Sequence, residues 1–178
     1  MWRDEVDRVL ADDYLGDVST RSLDEIRAMR DECRRVEDKV SFLRRLIQGR
    51  LDIVAADQRR RAGGGSPSDL GSLVEQLPDI LSDKGHPGGP GRLPSGLVPP
   101  DDDDLTADLD RVAGPGVLDS LPSLSDEQVA DLARAIGDLE REVSSTRKAL
   151  FARIDTLHEE LVRRYKTGEA DAGALLER

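Results

Sequence analysis

Ser22 to Val54 reads SLDEIRAMRDECRRVEDKVSFLRRLIQGRLDIV, and Ser125 to Leu157 reads SDEQVADLARAIGDLEREVSSTRKALFARIDTL. Laid over each other at an ungapped offset of 103 residues, the two stretches coincide feature by feature. Each opens on a capping box, Ser22 with Glu25 and Ser125 with Gln128, a helix-start signal that supplies acceptors to orphan backbone N–H groups. Apolar residues follow in register: Ile26, Met29, Cys33, Val36, Val40, Leu43, Ile47, Leu51 and Val54 in the first, Val129, Leu132, Ile136, Leu139, Val143, Thr146, Leu150, Ile154 and Leu157 in the second. Their spacing alternates 3 and 4 as far as Ile47 and Leu150, then slips by one residue. A sustained repeat of 3.5 residues is a coiled-coil seam. Helices are predicted over residues 22–61 and 125–166, each about 60 Å long at 1.5 Å per residue. The expected fold class is all-α: an antiparallel two-helix coiled-coil hairpin with a long flexible linker. A linker of 63 residues also permits a parallel pair, so the orientation follows from the simplest closure.

Composition outside the repeat supports this division. The chain has 178 residues, a net charge of −11, 35% charged side chains and only 3% aromatics, too few for a thick globular core. By segment the charge is −3 over residues 1–21, +3 over 22–61, −8 over 62–124, −1 over 125–166 and −2 over 167–178. All nine prolines and 11 of the 16 glycines fall within 62–124, in runs such as GGGSPS, GHPGGPGRLPSG and VPPDDDD. Such a segment cannot offset its ordering entropy and reads as an acidic, low-complexity linker, with a short helix predicted over 69–83 from Leu70, Leu73, Val74, Leu77, Ile80 and Leu81. Residues 1–21 are an N-terminal extension and 167–178 a C-terminal tail. The longest apolar runs are too short to span a bilayer, and the acidic start has no signal-peptide core. The single Cys33 fits a reducing, cytoplasmic setting. The acidic balance argues against DNA or RNA as a direct partner.

One position beyond the seam, each helix carries a polar stripe. The first is Glu37, Ser41, Arg44, Gln48 and Asp52, and the second Glu140, Ser144, Arg147, Phe151 and Asp155. At 100° per residue each stripe occupies an arc of roughly 80°. In an antiparallel pair, equivalent flanks meet across one groove, so both stripes are expected on one face. Such residues beside a seam ordinarily form a solvated flank or interhelical ion pairs. They also suit a guanine nucleotide. Arginine can bond O6 and N7 or stack on the purine, and a carboxylate can accept from N1–H and the 2-amino group. Hydroxyls and the further cations Arg45, Arg50, Lys148 and Arg153 suit phosphates.

The doubled pattern Glu-x3-Ser-x2-Arg-x3-Gln-x3-Asp resembles that of RsiG-type anti-sigma factors of sporulating actinobacteria. It covers both helices and their separation by a low-complexity segment. The resemblance implies an anti-sigma factor that binds cyclic di-GMP, as a dimer, and when loaded sequesters a WhiG-type sigma factor from RNA polymerase. It assigns the ligand to Glu37, Ser41, Arg44, Gln48 and Asp52, and to Glu140, Ser144, Arg147 and Asp155. Phe151 stands where the pattern has Gln.

Nothing points to catalysis or to a metal centre. The two histidines, His86 and His158, lie in the linker and near the end of the second helix, and no Gly-rich loop follows a strand. Cys33 falls on the seam, where a thiol packs rather than reacts. The alternative is another class of protein altogether, a ligand-independent coiled-coil adaptor or scaffold, which predicts no nucleotide affinity.

Overall fold

The computed structural model describes residues 2–64 and 105–168. Within them the chain is helical, with no strand. Three short elements, α1 (Trp2–Leu10), α2 (Asp12–Leu15) and a 3-10 turn (Val18–Thr20), precede the 40-residue helix α3 (Leu23–Ala62). After residue 104 the series recurs as α4 (Ala107–Ala113), α5 (Pro115–Asp119), a 3-10 turn (Leu121–Ser123) and the 42-residue helix α6 (Asp126–Thr167). Both long helices start on reciprocal capping boxes. Glu25 N–H donates to Ser22 Oγ at 3.3 Å while Ser22 N–H donates to Glu25 at 2.7 Å; the equivalent bonds of Ser125 and Gln128 are 3.2 and 2.8 Å. No helix among the described residues is long and apolar enough to cross a membrane.

The chain divides into two compact units, Met1–Ser41 with Ser145–Arg178, and Phe42–Ser144. Each takes the N-terminal part of one long helix and the C-terminal part of the other. In the first unit, Arg27 of α3 donates to the Tyr165 hydroxyl of α6, and Arg147 of α6 bonds Glu37 of α3. Numbers rise along one segment as they fall along its neighbour, so the two run antiparallel there. In the second unit, Arg44 bonds Glu140 and Arg61 bonds Asp126, again antiparallel. The buried seam of the first unit is Ile26, Met29, Cys33, Val36 and Val40 with Leu150, Ile154 and Leu157. That of the second is Leu43, Ile47 and Val54 with Val129, Ile136, Leu139 and Val143. Leu51, Leu132 and Thr146, also expected in the seam, are half-buried.

The short elements extend the duplication beyond what the sequence reading assigned. Residues 105–124, counted with the linker on composition, are helical and packed: Leu105, Leu109, Ala113 and Leu121 are buried. At the same offset of 103 they correspond to Trp2, Val6, Leu10 and Val18 of the N-terminal extension. The two 3-10 turns, Val18–Thr20 and Leu121–Ser123, coincide residue for residue. Pro115 and Pro122 do not break this arm. They sit in the first turn of a helix and of a 3-10 turn, where a missing N–H costs no intrahelical bond. The predicted helix over 69–83 and the rest of the predicted linker lie outside the described residues, as does the tail beyond residue 168.

Paired arginines fasten the arms. In the first unit, Arg164 is buried; it donates from Nη1 to the Arg21 carbonyl at 2.6 Å, from Nη2 to the carbonyls of Val18 and Ser19 at 2.9 and 3.0 Å, and from Nε to Glu160 at 2.7 Å. In the second unit its repeat equivalent Arg61 donates from Nη1 to the Leu124 carbonyl at 2.7 Å, from Nη2 to that of Leu121 at 2.8 Å, and from Nε to Asp57 at 2.6 Å. Three acceptors of each are equivalents, Arg21 with Leu124, Val18 with Leu121 and Glu160 with Asp57, while the Ser19 carbonyl is bonded in the first unit alone and Asp126 in the second alone. Two guanidinium forks thus bind the carbonyls of two short turns, of which Val18 and Leu121 also accept from the Arg21 and Leu124 N–H groups.

Candidate functional site: two matched half-sites

Antiparallel running divides each sequence motif between the two units. The first unit holds Glu37 and Ser41 from α3 with Arg147, Phe151 and Asp155 from α6. The second holds Glu140 and Ser144 from α6 with Arg44, Gln48 and Asp52 from α3. Each half-site is therefore the front of one motif copy closed by the back of the other.

In the second unit Arg44 Nε donates to Glu140 Oε1 at 3.0 Å and to Ser144 Oγ at 2.8 Å, while Ser144 Oγ donates to the same Oε1 at 2.8 Å. Gln48 Nε2 approaches that oxygen at 3.4 Å. In the first unit Arg147 Nε donates to Glu37 Oε1 at 3.0 Å and to Ser41 Oγ at 2.8 Å, and Ser41 Oγ donates to Glu37 Oε1 at 2.5 Å. The two arginine distances are the same in both. Helical spacing explains the cluster: a Ser four residues after a Glu sits one turn above it, on the same face. The arginine then reaches across from the facing segment.

These groups are half-buried rather than enclosed, with Arg44 and Arg147 side chains 29% and 36% exposed. Asp52 and Asp155 are exposed one turn further along their helices and do not join the clusters. The cations expected to meet phosphates separate into two kinds. Arg45 and Lys148 are exposed, but Arg50 and Arg153 are engaged elsewhere. Arg50 donates to the Ala113 carbonyl at 2.7 Å and pairs with Asp110 at 2.8 Å; Arg153 donates to the carbonyls of Leu10 and Ala11 at 2.8 and 3.3 Å. They fasten the short arms, as Arg61 and Arg164 do. Because Leu10 and Ala113 are equivalents at the 103 offset, this clasp is also duplicated.

Chemically, each half-site offers a planar cation, a carboxylate and a hydroxyl that satisfy one another at rest. Each group faces partial solvent, so an arriving ligand can exchange these bonds for its own. Exposed or half-exposed ion pairs contribute only about 0–1 kcal/mol, which keeps that exchange inexpensive.

The model of the RsiG-like family matches residues 12–81 and 115–178. The chain belongs to the RsiG-like family. That match takes in both motif copies and the later part of each arm, α2 and α5 with their 3-10 turns, and it places the chain among regulators of the anti-sigma type rather than among enzymes. No curated protein matches the chain.

Proposed function

We propose that this RsiG-like protein binds cyclic di-GMP, as a dimer, through its two half-sites, and that the loaded form holds a WhiG-type sigma factor away from RNA polymerase. On this reading α3 and α6 are the two helices of an antiparallel coiled-coil hairpin. One observation carries it: an Arg–Glu–Ser cluster occurs twice with the same arginine distances, each built from both motif copies. A duplicated ligand is the natural occupant of a duplicated cluster.

Guanine presents N1–H and a 2-amino group to a carboxylate, so a base edge can take the place of the arginine at a cluster glutamate such as Glu140. The displaced guanidinium keeps its charge and turns to O6, N7 or a phosphate. Asp52 and Asp155, exposed beside the clusters, are free to accept from a second base or a ribose hydroxyl. Two helical segments cover only part of a nucleotide. The sigma factor supplies the remaining wall, and ligand and sigma factor tighten each other's binding by the same factor.

The interhelical bonds of Arg44 and Arg147 would equally serve a ligand-independent adaptor, and one experiment separates the two readings. Immobilised protein is offered a WhiG-type sigma factor with and without cyclic di-GMP. Capture is expected only with the nucleotide, and is lost in the Asp52→Ala, Asp155→Ala double variant, whose helices remain intact. Equal capture with and without nucleotide favours the adaptor.

A further inference from the structure

The half-sites differ at one position, Gln48 in the second unit and Phe151 in the first. Gln48 extends the hydrogen-bonded cluster, because its amide approaches the carboxylate that already accepts from Arg44 and Ser144. Phe151 cannot do so, since a phenyl ring has neither donor nor acceptor in its plane. Its ring instead lies beside the guanidinium of Arg147, with Cζ 4.7 Å from the ring centroid, inside the range of a cation–π contact. That guanidinium is held by Glu37 and Ser41, so ring, cation, carboxylate and hydroxyl form one connected assembly. The core does not claim the ring. Its neighbours Leu150 and Ile154 are buried, whereas Phe151 is half-buried on the stripe.

We infer that the two half-sites bind a purine in different ways: the second unit by its edge, through Gln48 and Glu140, and the first by its face, on the Phe151–Arg147 pair. This rests on the cyclic di-GMP reading above and adds an inequality that the motif alone does not contain. An amide and a carboxylate read the donors and acceptors of guanine. An aromatic face accepts any base, because every base has a π-face. Arginine is planar and delocalised, so a base can stack against the same assembly that the ring supports. The first half-site is therefore less selective for guanine over adenine, and the two load with different affinities.

The test is calorimetry of the full chain with cyclic di-GMP and, separately, cyclic di-AMP. Wild type is expected to give two unequal steps with cyclic di-GMP. Phe151→Leu, which keeps an apolar side chain, should weaken one step about tenfold at unchanged thermal stability, and Phe151→Tyr should restore it. Phe151→Gln should draw the two steps together and raise the preference for guanine over adenine. Gln48→Phe, a change in the other unit, should lower that preference even if the Phe151 variants unfold. A cyclic di-GMP analogue with one guanine replaced by 2-aminopurine gives an optical reading: its fluorescence should be quenched more by wild type than by Phe151→Leu. Wild-type isotherms and quenching in Phe151→Leu, with wild type binding normally, would overturn the inference and leave the ligand assignment standing. Absence of cyclic di-GMP binding by wild type would overturn both.

Discussion

The two compact units are assembled from equivalent parts, each taking the front of one repeat and the back of the other. Their fastenings agree closely: Arg164 and Arg61 clasp equivalent turns, and Arg153 and Arg50 clasp equivalent arm ends. They differ where the chemistry faces solvent. Gln48 is answered by Phe151, and the Glu37 side chain is 12% exposed against 20% for Glu140. Fastening positions have kept their equivalents while a half-exposed position beside the clusters has diverged. A duplicated protein can specialise one half-site because the fastenings of that half do not pass through the specialised residue.

The largest effects should come from the fastenings. Arg164→Ala strips three backbone carbonyls and Glu160 of a buried donor, and about 3 kcal/mol of stability should be lost in urea unfolding. Arg61→Ala should cost a similar amount. A cost in one and none in the other would mean that the two clasps are equivalent in appearance only.

Backbone crowding offers a second comparison. A Cβ on Gly114 would meet the Asp110 carbonyl oxygen at 2.6 Å, while the equivalent residue in the first arm is Ala11. Gly114→Ala should therefore destabilise by roughly 1–3 kcal/mol, the usual cost of overpacking. Ala11→Gly should have the smaller effect. Equal stabilities of Gly114→Ala and wild type would show that the second arm can shift to relieve the contact.

A smaller effect depends on pH. Hydrogen bonds from Arg163 and then Arg164 hold the Glu160 carboxyl at about 2, below its ordinary value of 4.5. A depressed folded-state value means that the unfolded chain binds more protons between those limits. Glu160 thus stabilises the fold above about pH 4.5, and this contribution declines as the pH falls towards 2. Glu160→Gln should flatten the acid limb of a stability–pH curve in that window. An unchanged acid limb would remove Glu160 from the fastening of the first unit.

Much of this comparison was legible in the sequence, and the remainder was hidden for physical reasons. The seam and caps could be read because helix periodicity and capping need particular residue types at fixed spacing. The second arm could not, because Gly114, Pro115, Gly116 and Pro122 share the composition of the linker before it. Only a short echo, Val6-Asp-Arg-Val9 against Leu109-Asp-Arg-Val112, marks it as a copy of the first. The motif residues were found, but not the way they pair. Spacing along one helix placed Glu37, Ser41 and Arg44 together in a stripe, whereas Arg147 of the other copy meets Glu37 and Ser41. Arg50 and Arg153 read as phosphate ligands because both bond backbone carbonyls, which leave no mark in the sequence, and because Asp110, the other partner of Arg50, lies in the stretch that reads as linker.

The most direct measurement of the central claim is calorimetric titration with cyclic di-GMP of wild type, Arg44→Ala, Arg147→Ala and the double variant, with helicity followed by circular dichroism. Each arginine makes charge-assisted bonds in a half-exposed cluster, so each truncation should weaken binding by about 1.5–3 kcal/mol, and helical content should not change. Losing both should abolish binding in the accessible concentration range. Wild-type affinity in the double variant, with helicity intact, would mean that the matched clusters are interhelical ion pairs and that the nucleotide, if it binds, binds elsewhere.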